Sequence, residues 1–159
     1  TLLGLAILAP HLSAQSSWDR YKPGSLAAII GREGPGVLQQ FATGPGHHTV
    51  VSAEGFPTRA TVQFLDSSRA ITSEHRAVLS IWAKSLHIPI TPDSVFVTEM
   101  LFREDTLAIW LPIQEVLLES FHRELQRGDT VTLLVAYVGA EGRETAIDWV
   151  FVVNEFQKP

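Results

Sequence analysis

The order of hydrophobic patterns along the chain limits its fold more than any other feature. Between Thr49 and Asn154, segments whose apolar residues alternate are interrupted by two longer segments whose apolar residues recur every three or four positions. Alternation is typical of half-buried strands, and the longer period is typical of amphipathic helices. The predicted order is therefore β-β-α-β-β-α-β-β, in which each helix follows a pair of strands.

Short links between the paired strands favour hairpins, and hairpins build antiparallel sheets. The sequence therefore predicts an α+β fold, in which an antiparallel sheet of about six strands has two main helices packed on one face. The alternative is a small open β-barrel plugged by a helix.

Residues at the helix ends and on the helix faces make this prediction specific. The first helix is predicted to begin at Thr72 or Ser73, with Glu74 in its first turn, where a carboxylate is favourable against the helix dipole. The second is predicted to follow Pro112 and to end at Gly128. The buried face of the first helix is predicted to consist of Val78, Ile81, Trp82 and Leu86.

Residues 1–14 are predicted to be a signal peptide. An apolar run reaches Pro10 and ends in the small residues Ser13 and Ala14, so cleavage is expected before Gln15. The run is shorter than the roughly 20 apolar residues that a bilayer span needs, so no stable membrane span is expected after cleavage. The predicted location is secreted or periplasmic, and the features fit a bacterial protein.

Residues 15–57 are rich in Gly and Pro and are predicted to form an irregular wrap around an α+β core of residues 58–159, within one domain. Inside the wrap, Ser25 is expected to cap a brief helix that Gly31 ends. The chain has no cysteine, which excludes disulfides, thiolate metal sites and a Cys nucleophile. A net charge of −5 argues against nucleic acid as a partner.

Glu99 is the strongest local oddity, because it is an acid in a strand that is otherwise apolar. A four-residue turn at residues 103–106 would place it directly opposite Trp110. A sheet face with an acid, a tryptophan and aliphatic side chains can serve as a shallow ligand surface, so Glu99, Trp110 and Arg59 are the predicted binding residues. The alternative is structural, with Glu99 bonded to Arg59 or Arg103 and Trp110 sheltered beneath the wrap.

His47 and His48 are the weak candidates for metal binding. Adjacent histidines on a loop can both be ligands, but successive side chains of a strand diverge to opposite faces. No acidic residue lies within five positions of the pair, and a zinc site needs about three or four ligands. No metal and no other cofactor are therefore expected, and no Ser, His and acid set has spacing that predicts a catalytic triad.

These features together predict an exported, non-enzymatic domain that binds an unknown small molecule or an envelope protein. The first alternative is a small secreted hydrolase, in which His47 or His48 acts with Glu54. The second alternative is a subunit of an envelope assembly, held by an exposed sheet edge or by the apolar patch at Val97, Leu101 and Trp110.

Overall fold

The computed structural model describes residues 18–159 as a seven-stranded mixed sheet with four helices packed against it. The strands are β1 (Lys22–Gly24), β2 (His48–Val51), β3 (Thr58–Ala70), β4 (Phe96–Glu104), β5 (Leu107–Gln114), β6 (Thr130–Arg143) and β7 (Ala146–Gln157). The helices are α1 (Leu26–Phe41), α2 (Ser73–Ser85), α3 (Pro92–Val95) and α4 (Glu115–Glu124). The signal peptide predicted for residues 1–14 lies outside the described residues. Within residues 18–159, no helix combines the length and the apolar character needed to cross a bilayer.

The sheet has the order β1-β3-β4-β5-β7-β6-β2, and neighbouring strands are antiparallel except in the pairs β1–β3 and β5–β7. β3 pairs with β6 through Thr58–Gln63 and with β4 between Gln63 and Ala70, which curls the sheet. The α+β class and the dominance of antiparallel pairing are confirmed. The sheet is larger than predicted and includes parallel pairs, and four helices pack against it.

Helices cover both faces of the sheet. The face that carries α1 and α4, which we name the inner face, holds the largest core cluster, including Leu26 of α1 and Phe121 of α4. The opposite, outer face carries α2, whose Val78 belongs to a second cluster with Val150 and Val152 of β7. The two helices predicted to share a face, α2 and α4, therefore lie on different faces. The reason is that β7 is a continuous apolar run, and such a strand is buried on both sides.

α1 is longer than the brief helix predicted to end at Gly31, because it continues for sixteen residues and passes through Pro35. Gly and Pro disfavour the interior of a helix. Apolar residues before and after this stretch are nevertheless buried, and their burial outweighs the poor propensity. The buried residues are Leu26, Ile29, Val37 and Phe41. The predicted N-cap is confirmed, since Ser25 Oγ accepts a hydrogen bond from the Ala28 N–H.

α2 begins at the predicted cap, where Thr72 Oγ1 accepts a hydrogen bond from the His75 N–H. Its buried face differs from the predicted one, because Ile81 is 44% exposed and Leu86 is 36% exposed. The residues that are buried instead are His75, Val78, Leu79 and Ala83. A polar residue, His75, begins the buried face because groups on the sheet bond its imidazole.

The turn between β4 and β5 consists of two residues, Asp105 and Thr106, rather than the predicted four. Asp105 has a φ of 50°, which is the left-handed conformation that tight hairpin turns use. The cross-strand partners from Glu104 back to Thr98 are consequently shifted by two residues, so that Glu99 lies opposite Pro112 instead of Trp110. A shift of two residues leaves these side chains on their predicted faces. Phe96, beyond a register irregularity, packs instead in the outer-face cluster with Val78.

Glu104, at the end of β4, fastens the N-terminus of α1 to the sheet. Its carboxylate accepts hydrogen bonds from the Leu26 N–H at 3.0 Å and from the Ala27 N–H at 2.8 Å, and Ser25 Oγ donates to it at 2.9 Å. These N–H groups have no partner within the helix, and the negative charge is favourable at this end of the helix dipole.

We expect Glu104→Gln to lower the free energy of unfolding by about 1–3 kcal/mol, because an amide keeps the shape of the side chain but presents N–H groups to the donors of α1. Urea unfolding followed by circular dichroism measures the loss. Glu144→Gln, in the exposed turn between β6 and β7, is the matched control and should change the free energy by no more than about 0.5 kcal/mol. Equal effects of the two substitutions would contradict the anchoring role of Glu104.

Candidate functional site

A chain of buried polar contacts joins α2 to the outer face of the sheet, and His75 lies at its centre. His75 is one helical turn before Val78 and Leu79, so all three side chains lie on the face of α2 that packs on the sheet. The imidazole is fully buried, so both of its nitrogens need hydrogen-bond partners. Both partners are carboxylates.

The first carboxylate is that of Glu99. His75 Nδ1 donates to Glu99 Oε1, and Arg69 Nε donates to Glu99 Oε2 at 2.7 Å. Glu99 has no exposed surface, and Arg69 is its direct cross-strand partner on β3. The Arg69 guanidinium also lies over the Trp110 ring, 4.3 Å from the ring centroid. Arg69 therefore links Glu99 to Trp110.

A β-bulge in β6 brings further acidic groups to the outer face. The register between β6 and β7 shifts after Tyr137 and leaves Val138 as an extra residue. Beyond the bulge the alternation of faces is reversed, so that Ala140 packs on the inner face against α1 while Glu141 lies on the outer face. Glu141 is directly opposite Asp148 of β7.

His75, Glu141 and Asp148 converge. His75 Nε2 donates to Asp148 Oδ2 at 2.9 Å, and one donor atom from each of the three side chains lies within 4.8 Å of the other two. Glu141 is buried, whereas the Asp148 side chain is 52% exposed and opens the cluster to solvent. Glu141 Oε2 lies 2.6 Å from His47 Nε2, which is an ion-pair distance, but this oxygen accepts no aligned hydrogen bond within residues 18–159.

The electrostatics of the cluster are governed by burial and by its carboxylates. Burial alone would lower the pKa of His75, but the hydrogen bonds and charges of Asp148 and Glu99 outweigh it and raise this pKa to about 9. Burial also raises the pKa of Glu141, where the charge of His47 opposes the shift and that of Asp148 adds to it. The cluster thus holds a buried cation beside a carboxylate that lacks full hydrogen bonding.

The structure brings together two of the three predicted binding residues. Glu99 and Trp110 both contact Arg69 on the outer face. Arg59 lies nearer the start of β3, and its Nε has no hydrogen-bond partner among the described residues. Neither arginine suggested as the partner of Glu99 holds that role, because Arg69 bonds Glu99 and Arg103 bonds a glutamine of β3.

The two adjacent histidines diverge, as expected for successive residues at the start of a strand. His47 contacts Glu141, whereas His48 Nε2 lies 2.8 Å from the carbonyl oxygen of Gly44 and its ring stacks on an aromatic residue of α1. Glu54, the acid suggested to act with them in a hydrolase, lines a cleft beside α1. The carboxylate that contacts His47 is therefore Glu141.

Sequence reasoning missed His75, Glu141 and Asp148. A signal for His75 exists, because it precedes Val78 and Leu79 by three and four positions and so belongs to the buried face of the helix. Glu141 and Asp148 become neighbours only through the tight β6–β7 turn and the bulge. The turn contains neither Asn-Gly nor Asp-Gly, the pairs from which a two-residue hairpin turn can be predicted.

We expect Glu99→Gln to lower the free energy of unfolding by about 3–5 kcal/mol, because it leaves the buried His75 cation and Arg69 without their shared carboxylate. Arg76→Gln is the matched control on α2, since Arg76 forms a surface ion pair with Asp93 at 3.6 Å and its loss should cost no more than about 1 kcal/mol. Urea titrations in the presence of EDTA compare the two. Similar losses would mean that the buried contacts give no special stability.

No protein-family model, no curated protein and no solved structure matches this chain. The function of the cluster is therefore argued from its own chemistry. The groups that enter that argument are one imidazole nitrogen, two converging carboxylates and a second histidine at the surface.

Proposed function

We propose that the protein is a binding protein whose ligand is a divalent transition-metal ion, held by His75, Glu141 and Asp148. The observation that carries the proposal is the convergence of one donor atom from each side chain within 4.8 Å. Small side-chain adjustments would bring each donor to the roughly 2.0–2.2 Å that zinc requires from imidazole nitrogen and carboxylate oxygen. The expectation of a non-enzymatic binding domain is thus retained, and a metal ion is added to it as the ligand.

The surroundings of His75 are those of a metal ligand. A histidine that binds a metal through one nitrogen usually donates its other N–H to a carboxylate, which fixes the tautomer and the ring orientation. Glu99 is that carboxylate, because it accepts from Nδ1 and leaves Nε2 directed at Asp148. Arg69 in turn donates a hydrogen bond to Glu99, so the carboxylate that orients the ring is itself held in position.

Glu141 supplies the second argument. A buried carboxylate oxygen without an aligned hydrogen bond is costly, and a bound cation removes that cost. His47 Nε2 is already 2.6 Å from this oxygen, and its ring is about half exposed, so it is free to adjust and become a fourth ligand. Two histidines and two carboxylates complete the four-coordinate site that zinc favours.

The competing use of the cluster is purely structural. Without a metal, a proton on His75 Nε2 bridges the ring to Asp148 and keeps the buried charges balanced. A metal ion would take the place of that proton and release it, as metal binding to histidine generally does. The two uses differ in a measurable way, because only one of them involves a metal.

We place this binding activity outside the cytoplasm, on the basis of the predicted signal peptide. The hydrolase alternative gains one observation, the contact between His47 and Glu141. An active site also needs space for a substrate. The main cavities of residues 18–159 are lined by other residues, so binding is the better supported function.

We expect the full chain to bind Co²⁺ or Zn²⁺ with one ion per chain, and bound Co²⁺ to give the visible absorption of a four-coordinate site. Asp148→Asn should weaken binding by at least about 10–100-fold, a loss typical even for groups that only orient a ligand. Competitive titration against a chromophoric chelator at neutral pH measures both affinities.

Asp93→Asn is the matched control, because Asp93 is also an aspartate with a side chain about half exposed, at 54%. It should bind the metal as the unmodified chain does. Circular dichroism checks that both variants are folded. Equal affinity of the two variants, or no bound metal in any of them, would assign the cluster to the structural role.

A further inference from the structure

A second site lies on the inner face, between α1 and the segment that follows β2. An open cleft of about 580 Å³ continues into a narrow recess of about 80 Å³, and Tyr137 lines the recess but not the cleft. The residues that line both are Glu33, Gln40, Val50, Val51 and Ser52. His75 and its carboxylates lie on the other face of the sheet, so this site does not rest on metal binding.

Tyr137 is the reason to regard the recess as a binding site. Its side chain is buried, and its hydroxyl has no hydrogen-bond partner among residues 18–159. Its ring is held by neighbouring aromatic rings, with centroid distances of 5.3 Å to Phe151 and 6.3 Å to Phe56. A buried hydroxyl without a partner costs free energy. A ligand that forms a hydrogen bond with this hydroxyl removes that cost, which favours its binding.

The charges of the cleft favour a cation. Glu33 and Glu54 contribute two carboxylates, whereas the single arginine, Arg32, is engaged by Glu33 at 3.2 Å and by the Phe56 ring at 3.8 Å. Burial, and then the nearby charge of Glu33, raise the pKa of Tyr137, which keeps its hydroxyl neutral. Two carboxylates against one arginine leave the cleft with an excess of negative charge, so it attracts a cation and repels an anion.

We propose that this cleft binds a small organic amine, with its ammonium group in the recess and its apolar part against Val50, whose side chain packs on the inner face. The ammonium would donate hydrogen bonds to Tyr137 Oη and to the carboxylate of Glu33. The size of the recess agrees, since about 80 Å³ accommodates about two or three water molecules, or one ammonium with its first carbon. The wider cleft takes the remainder of the molecule.

The test compares pentylamine, pentanol and pentanoate, which share an apolar chain and differ only in the head group. Chemical-shift titration of the full chain should give saturable binding of pentylamine, weaker binding of pentanol and none of pentanoate. Glu33→Gln and Tyr137→Phe should each weaken pentylamine binding by about tenfold, because each removes one hydrogen bond to the ammonium. Glu144→Gln, at an exposed residue that lines neither the cleft nor the recess, should leave binding unchanged.

Tyr137→Phe is also informative about folding. Because the hydroxyl has no protein partner, its removal should leave the unfolding midpoint unchanged or raise it, so weaker binding by this variant is not a folding defect. Equal binding of pentylamine and pentanoate, unchanged binding by both variants, or no binding of pentylamine at all would overturn the proposal. The last outcome would mean that the recess holds solvent only.

Discussion

The buried imidazole of His75 between the carboxylates of Glu99 and Asp148 is the interaction on which the outer half of the structure depends. His75 belongs to α2, Glu99 to β4 and Asp148 to β7. Glu99 follows His75 by 24 positions and Asp148 follows it by 73 positions, and the two hydrogen bonds fix all three elements relative to one another. Charges that are removed from water are tolerated only when they are paired and hydrogen-bonded. The helix therefore has essentially one position on the sheet, whereas apolar packing alone would tolerate several.

β4 fixes a helix on each face of the sheet. Glu99 is an odd-numbered position of the strand and bonds α2 on the outer face, and Glu104 is an even-numbered position and bonds the N-terminus of α1 on the inner face. Alternation along a strand is enough to separate the two roles. A chain without disulfides thus gains directional anchors from two buried acids, one for each layer of helices.

Much of the fold was predictable from the sequence, whereas the cluster around His75 was not. Alternation in β4 predicted the correct faces from Thr98 onward, and the Thr72 cap and the succession of strands and helices along the second half of the chain followed from local patterns. α1 was missed because its glycines and Pro35 are locally unfavourable, and only burial against the sheet stabilises it. The cluster was missed because its members become neighbours only in the folded sheet. In addition, hydrophobic periodicity counts histidine as a polar residue, so it does not assign His75 to the buried face. Of the residues in or beside the cluster, the sequence singled out Glu99, Trp110 and His47. Glu99 was the clearest of them, since an acid is unusual within an otherwise apolar strand.

The bulge at Val138 has a consequence for how this protein tolerates change. Tyr137 precedes the extra residue and faces inward, whereas Glu141 follows it and faces outward only because the strand contains that residue. A substitution of Val138 alters one side chain, whereas loss of this residue would exchange the inner and outer faces along the rest of the strand. It would turn Glu141 toward the apolar inner face and Ala140 away from α1. The number of residues in β6 is thus constrained as strictly as the identity of Gly139, where any side chain would collide with the backbone carbonyl of Val50.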